Sequence, residues 1–168
     1  MKFEDVIRKR EAVRKFKDES ISEEELGMIL EAGRLAPTAK NNQPIKIIVV
    51  KSKEGIEIID EASPCRYNAP IVLVICGNKD ECFTNGMHNT LEIDASIVAT
   101  HMMLEATNVG VDNIWIDMFD RDILKNKLNL ESNIIPISLL PLGYRSDDYE
   151  GNPRHNIRKN IEDIVEYK

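Results

Sequence analysis

The sequence predicts one α+β domain, residues 1–168, in which helices flank a small sheet. Three observations support this class. The chain is 168 residues long and 42% hydrophobic, enough to bury one core without disulfide or metal staples. Short apolar runs of strand length alternate with segments whose apolar residues recur every three or four positions. No internal repeat or low-complexity linker divides the chain.

The elements follow in order. Phe3, Val6, Ile7 and Arg10 outline two turns of an amphipathic helix, and Glu11–Ile21 is polar and without period. Ser22-Glu23-Glu24-Glu25 is a capping box that starts a helix with Leu26, Ile29, Leu30 and Gly33 on one face. Pro37 ends it, and Pro37 to Pro44 is loop chemistry closed by proline at both ends. Ile45–Val50 reads as a strand, Gly55–Ala62 as a short helix, and Pro70–Cys76 as an uncharged central strand. Thr90–Val109 is the longest helix. One stripe holds Leu91, Ala95, Val98, Met102 and Ala106; a second holds Ile93, Ile97, Thr100 and Leu104. Two apolar faces imply burial nearly all round, either inside the core or with the second face against a partner subunit. Ile114–Ile116 reads as a short strand, Asp120 caps a helix reaching Leu128, and Ile134–Gly143 is a further strand. The tail, Asn160–Tyr167, is expected as a short helix or an extended arm.

Composition excludes several classes. A formal charge of −7 argues against nucleic acid as a partner. No apolar run reaches the roughly 18–20 residues of a membrane span, and the start of the chain lacks the pattern of a signal peptide. Its basic, amphipathic character is that of a presequence, but Glu4, Asp5 and Glu11 oppose that reading. Cys65, Cys76 and Cys82 are odd in number and form no CxxC pair, so they are expected as reduced thiols in a cytoplasmic protein. Cys76, Cys82 and His88 match no zinc spacing. Neither GxGxxG nor GxxxxGK[ST] occurs, and no Ser-His-Asp or Cys-His arrangement marks a nucleophile. His101, inside the long helix, is expected as a hydrogen-bonded core residue. No catalytic acid or base is assigned.

The charge is uneven. Residues 1–17 hold seven bases and three acids, a net of +4, leaving −11 for the rest. Arg10 and Arg14 fall where the first helix should end. Two guanidinium groups about 7 Å apart repel by roughly 0.6–2.4 kcal/mol between dielectric constants of about 80 and 20. Convergent arginines therefore favour an anion between them. The alternative is a splayed, solvated pair bound to Glu4, Asp5 or Glu11.

The wording of the chain bears on that choice. Arg10-Glu11-Ala12-Val13-Arg14-Lys15-Phe16, the capped helix from Ser22, and Ala36-Pro37-Thr38-Ala39-Lys40-Asn41-Asn42-Gln43-Pro44 resemble the opening of the nitroreductase family. The resemblance continues through Ala69-Pro70-Ile71-Val72, the long helix, Gly110, Trp115, Pro141-Leu142-Gly143-Tyr144 and Arg158 to Val165. It covers essentially the whole chain.

The resemblance implies a mainly antiparallel central sheet flanked by helices, an interlocked homodimer, and FMN in a groove between subunits. Arg10, Glu11, Ala12 and Arg14 match the segment that holds the phosphate, ribityl and pyrimidine end, and Arg158 matches a C-terminal arginine that also reaches the phosphate. Pro37, Thr38, Ala39 and Asn41 match a loop lent by the other subunit. Trp115, Ile116, Asp117 and Met118 match a strand end beside the dimethylbenzene ring and N5. The implied activity is ping-pong hydride transfer from NAD(P)H through flavin N5 to a nitroaromatic, quinone or similar small organic acceptor. Its alternatives are an FMN-binding or storage protein without turnover, and a cofactor-free phosphate-binding or interaction module.

The chain departs from the family pattern at four places. Ala12 replaces a serine, and Glu11 sets a carboxylate, expected as exposed, beside the arginines. Ile45 replaces an aromatic residue, and a second flavin-side base falls near Cys65, with Arg66 as the nearest substitute. Substrate choice is expected to rest on the loops around Arg66 and Phe83–Asn89.

Overall fold

A computed structural model describes the whole chain, Met1–Lys168. Its centre is a four-stranded antiparallel sheet in the order β1-β2-β4-β3, formed by β1 (Ile45–Val50), β2 (Ile71–Asn78), β3 (Asp112–Asn113) and β4 (Ile134–Gly143). Five helices surround it: α1 (Phe3–Lys9), α2 (Glu23–Arg34), α3 (Lys53–Ala62), α4 (Leu91–Val109) and α5 (Arg121–Lys127). The tail contributes one 3-10 turn, Ile161–Asp163, and is otherwise irregular and exposed.

β2 shows why the sheet is covered on both sides. Side chains along a strand alternate between faces, and every residue from Ile71 to Gly77 is buried. Ile71, Leu73 and Ile75 join Leu140 and Leu142 of β4 in one core beneath α2 and α4, with Leu26, Ile29, Val98 and Met102. Val72, Val74 and Cys76 join Leu139 in a second core beneath α3 and α5, with Ile59 and Leu124. Burial in that second core pushes the Cys76 thiol up to about 12.

The helix starts follow the sequence signals. Ser22 Oγ accepts from the Glu25 N–H at 3.1 Å, and the Glu25 carboxylate accepts from the Ser22 N–H at 2.8 Å. Asp120 accepts from the Asp122 and Ile123 N–H groups at the start of α5. Ser52 caps α3, which starts at Lys53, two residues before the expected start at Gly55.

Prolines inside β4 account for two irregularities. Cys76 pairs with Pro136 while Ile75 pairs with Ser138, so Ile137 is an extra residue, a bulge beside a proline that cannot donate. The short strand expected at Ile114–Ile116 is displaced, because the regular pairing covers Asp112–Asn113 instead. Ile116 and Leu139 still exchange two bonds of 2.9 Å in the same register. Between them, Ile114 donates to the Pro141 carbonyl at 3.3 Å and receives nothing back, since Pro141 has no N–H.

Two further expectations change. α4 buries only one stripe, Leu91, Ala95, Val98, Met102 and Ala106, joined by Asp94, Ala99 and Thr107. On the other side Ile93 is 53% exposed, Ile97 and Leu104 are half-buried, and Thr100 is exposed. His101 lies partly exposed on this open face and makes no hydrogen bond, so it is not the satisfied core residue expected. The polar stretch Glu11–Ile21 is also less free than its composition implies. Val13, Phe16 and Ile21 are buried within it.

Leu73, fully buried at the centre of β2, sets the scale of packing energy. Leu73→Ala is expected to cost about 2–5 kcal/mol in urea unfolding, and Met28→Ala, on the exposed side of α2, less than about 0.5 kcal/mol.

Candidate functional site

The segment after α1 is pinned to the sheet as an irregular extra strand. The Val13 N–H donates to the Asn113 carbonyl at 3.1 Å, and Ala12 bridges Asn113 in parallel. The Lys17 N–H donates to Tyr144, and Lys15 accepts from the Ser146 N–H, so Phe16 lies opposite Arg145. Val13 and Phe16 both turn into the core, and Arg14 and Lys15 between them are exposed.

Arg10 caps the end of α1, its N–H donating to Val6 while its backbone turns extended. Burial and the Arg158 guanidinium push the Arg10 pKa below its ordinary value, and Glu11 only partly opposes them. The first and last segments of the chain thus bring two like charges together. No carboxylate lies within 4.0 Å of either guanidinium. Neither Arg10 nor Arg14 pairs with Glu4, Asp5 or Glu11, and the two arginines do not converge on one another: the charge that acts on Arg10 is Arg158, while Arg14 lies on a separate cleft.

Glu11 corrects another expectation. Its carboxylate is not exposed beside the arginines; its side chain is 10% exposed and directed to Arg145, Tyr149 and Asn152. Arg145 in turn forks onto Asp112, with its Nη2 2.6 Å from Oδ1, which holds its pKa above the ordinary value. Sequence reasoning missed Asp112, Arg145 and Tyr149. Asp112 lies in β3 and binds Arg145, Arg145 and Tyr149 follow β4 and bind Glu11, and nothing local marks this network.

Arg14 opens onto a cleft of about 500 Å³ lined by Cys65, Tyr67, Ile114 and the run Trp115, Ile116, Asp117 and Met118. Two sequence segments assigned separately therefore share one wall. The Ile116–Leu139 pair anchors the run, and Ser63 Oγ donates to the Met118 carbonyl at 2.7 Å. Ile116 is buried, while Trp115 and Met118 are 41% and 62% exposed, so their apolar surfaces face outward with no cover from this chain. Cys65 lies in this cleft, and Arg66 does not substitute for a base there. Arg66 forks onto Asp60 at 2.6 and 2.7 Å and donates to the Ala69 carbonyl. Arg14 is the cleft's one cation, and it offsets part of the rise that Cys65 and burial impose on the Tyr67 phenol.

Pro37, Thr38, Ala39 and Asn41 do not line this cleft. Their loop is held at the start of α4, where Asp94, 1% exposed, accepts from the Ala39 N–H at 2.9 Å and from Thr90 Oγ1 at 2.8 Å. Thr38 Oγ1 accepts from the Gln43 N–H. Lys40, Asn41 and Gln43 all carry positive φ near +55°, a costly run for non-glycine residues that these bonds sustain. Asp94 was not foreseen; an acidic residue in a first helical turn usually serves only the helix dipole. No group of three or more His, Cys, Asp or Glu side chains is arranged to hold a metal, and no helix is long and apolar enough to cross a membrane.

The chain is similar to known proteins in sequence and in fold. A sequence model of the Nitroreductase family matches residues 7–66 and 62–144. A protein of Archaeoglobus fulgidus assigned as an NADH dehydrogenase/NAD(P)H nitroreductase is 30% identical over 161 residues, covering 90% of this chain and 91% of that protein. The FMN reductase (NAD(P)H) of Bacillus subtilis is 26% identical over 85% of this chain and 66% of its own length. The crystal structure of a nitroreductase family protein from Clostridium difficile 630 superposes with a TM-score of 0.93 at 36% identity, covering 100% of this chain and 99% of that one. Sequence match along most of the chain and the same fold at 36% identity lead to one conclusion: this chain belongs to the nitroreductase family.

Proposed function

We propose that this chain is an FMN-dependent oxidoreductase that uses NAD(P)H to reduce a nitroaromatic, quinone or similar small acceptor in a ping-pong cycle. The observation that carries the reading is the meeting of the two chain ends: His155 Nε2 lies 3.0 Å from the Arg8 carbonyl, and Arg10, half-buried and without a carboxylate partner, feels the charge of Arg158. Two guanidinium groups so placed suit a phosphate dianion. The names of the relatives point the same way, one of them to FMN and both to NAD(P)H.

The residues fit the cofactor part by part. Arg10 and Arg158 would hold the phosphate, each contributing a charge-assisted bond worth about 1.5–3 kcal/mol. The backbone at Glu11 and Ala12 would run beside the ribityl chain. Arg14 would stand at the pyrimidine end, where a fixed positive charge favours electron density arriving in the ring. Trp115, Ile116, Asp117 and Met118 would line the dimethylbenzene and N5 side, with the exposed surfaces of Trp115 and Met118 shielding it from water. When bound, FMN would supply the redox chemistry, accepting a hydride at N5 and passing it on. The chain's own task is to orient both substrates over the ring and exclude water; no side chain is assigned as acid or base.

A homodimer completes the site in this reading. The open face of α4, with Ile93, Ile97 and Leu104, is the surface a second copy would cover. Pro37, Thr38, Ala39 and Asn41 would then reach the flavin of the other subunit, in a conformation already held by Asp94.

The decisive measurement is the absorbance spectrum of purified protein before and after anaerobic NADH or NADPH. Yellow protein that either nicotinamide bleaches is expected. Yellow protein that neither bleaches would make it a flavin-binding protein without turnover, and colourless protein that takes up no added FMN would remove the flavin altogether. In FMN titrations, Arg10→Ala is expected to weaken binding about tenfold or more, and Lys9→Ala less than about threefold. Equal losses would refute the phosphate assignment. Ile93→Asp is expected to convert a dimer to monomer by light scattering and to release FMN; a monomeric wild-type protein with tightly bound FMN would refute the shared site.

A further inference from the structure

The Glu11 side chain, unlike its backbone, and the turn at 149–152 belong to no part of the flavin contact surface described above, although Glu11 directly follows Arg10. Glu11 Oε1 accepts from the Asn152 N–H at 2.5 Å and lies 3.2 Å from the Tyr149 hydroxyl, which is also 3.2 Å from the Ala12 carbonyl. Glu11 Oε2 accepts from Arg145 Nη1 at 3.3 Å. Between Tyr149 and Asn152 the chain turns through Gly151 at φ +85°, and a Cβ there would stand 3.4 Å from Glu11 Oε1. Three residues beyond Asn152, His155 Nε2 lies 3.0 Å from the Arg8 carbonyl. Arg158 follows three residues later.

We infer that Glu11 is a positioning residue, a clasp that docks the 149–152 turn onto the N-terminal segment and so holds Arg158 beside Arg10 to bind a phosphate-bearing ligand. The inference rests on the FMN reading of that arginine pair. Two consequences follow from the geometry. The tail after Asn152 has little buried surface of its own, with Ile157, Ile161 and Ile164 each more than half exposed, so its position near Arg10 depends on polar ties rather than packing. The Glu11 charge is also occupied. A loose carboxylate beside two arginines would compete with the phosphate, whereas three donors hold this one turned away from them, with Arg145 as its counter-ion. Arg145 keeps Asp112 if Glu11 is removed, so the substitution leaves no bare buried charge.

The test compares FMN with riboflavin, which lacks the phosphate, on wild type, Glu11→Ala, Glu11→Gln and Gly151→Ala. Tryptic cleavage after Arg154 and Arg158 is followed in parallel without flavin. Glu11→Ala is expected to weaken FMN about tenfold and riboflavin less than about twofold, and to speed cleavage of the tail. Glu11→Gln keeps an acceptor oxygen for the Asn152 N–H and is expected to retain most of the FMN preference. Gly151→Ala strains the turn while leaving Glu11 intact, and is expected to lower the preference as Glu11→Ala does. Equal losses for both flavins would make Glu11 merely structural, and an unchanged preference or unchanged tail cleavage in Glu11→Ala would overturn the clasp. Wild type that binds FMN no better than riboflavin would overturn the phosphate site itself; the cleavage rates would then decide the clasp independently.

Discussion

The double-sided burial of β2 is the constraint on which the rest of the molecule depends. A strand with no polar face must be covered above and below, and a chain of this length has few elements to do it. α2 and α4 cover one face, while α3 and α5 cover most of the other. The remainder of the second face is closed by Val13 and Phe16, which draw an otherwise polar segment into the core. That requirement sets the position of the arginines. With Val13 and Phe16 buried, Arg14 between them is exposed, at the mouth of the cleft lined by Trp115 and Met118.

Electrostatics then separates two kinds of charge that look alike in composition. Arg66 and Arg145 are structural: Arg66 forks onto Asp60, and Arg145 forks onto Asp112 and also meets Glu11. Arg10 and Arg158 meet no carboxylate, and the Arg158 charge helps push the Arg10 pKa below its ordinary value. Folding tolerates such a pair at some cost in stability, and strain of this kind gathers where a ligand later relieves it. Three positive-φ residues among Lys40–Gln43, in the loop held by buried Asp94, show the same economy elsewhere in the molecule.

Much of this was legible in the residues themselves. The Ser22 capping box, the Asp120 cap and the bounds of β4 follow from signals a few residues long, because caps and strand runs are local interactions. The short strand near Ile114 was displaced by a distant residue, since Pro141 on the neighbouring strand interrupts the pairing at that point. The second apolar stripe of α4 was visible, but whether it faces core or partner depends on how many elements the sheet can recruit to each side. The Glu11 carboxylate was misplaced for the same reason: its three donors lie more than a hundred residues along the chain.

The sequence by itself determined the element types, the α+β class and the basic opening segment, because helix and strand periodicity, capping and proline chemistry act within a few residues. Family resemblance singled out Arg10, Arg14 and Arg158 among the bases. Only the tertiary structure decided which charges are neutralised and which remain unpaired. Proximity between the two ends of a chain is set by the packing of everything between them, and no local pattern encodes it. The +4 of the first seventeen residues thus resolves into Arg10, facing Arg158, and Arg14 at the rim of the cleft. Lys15 and Lys17 beside them pair with Asp148 and Asp147 on the surface.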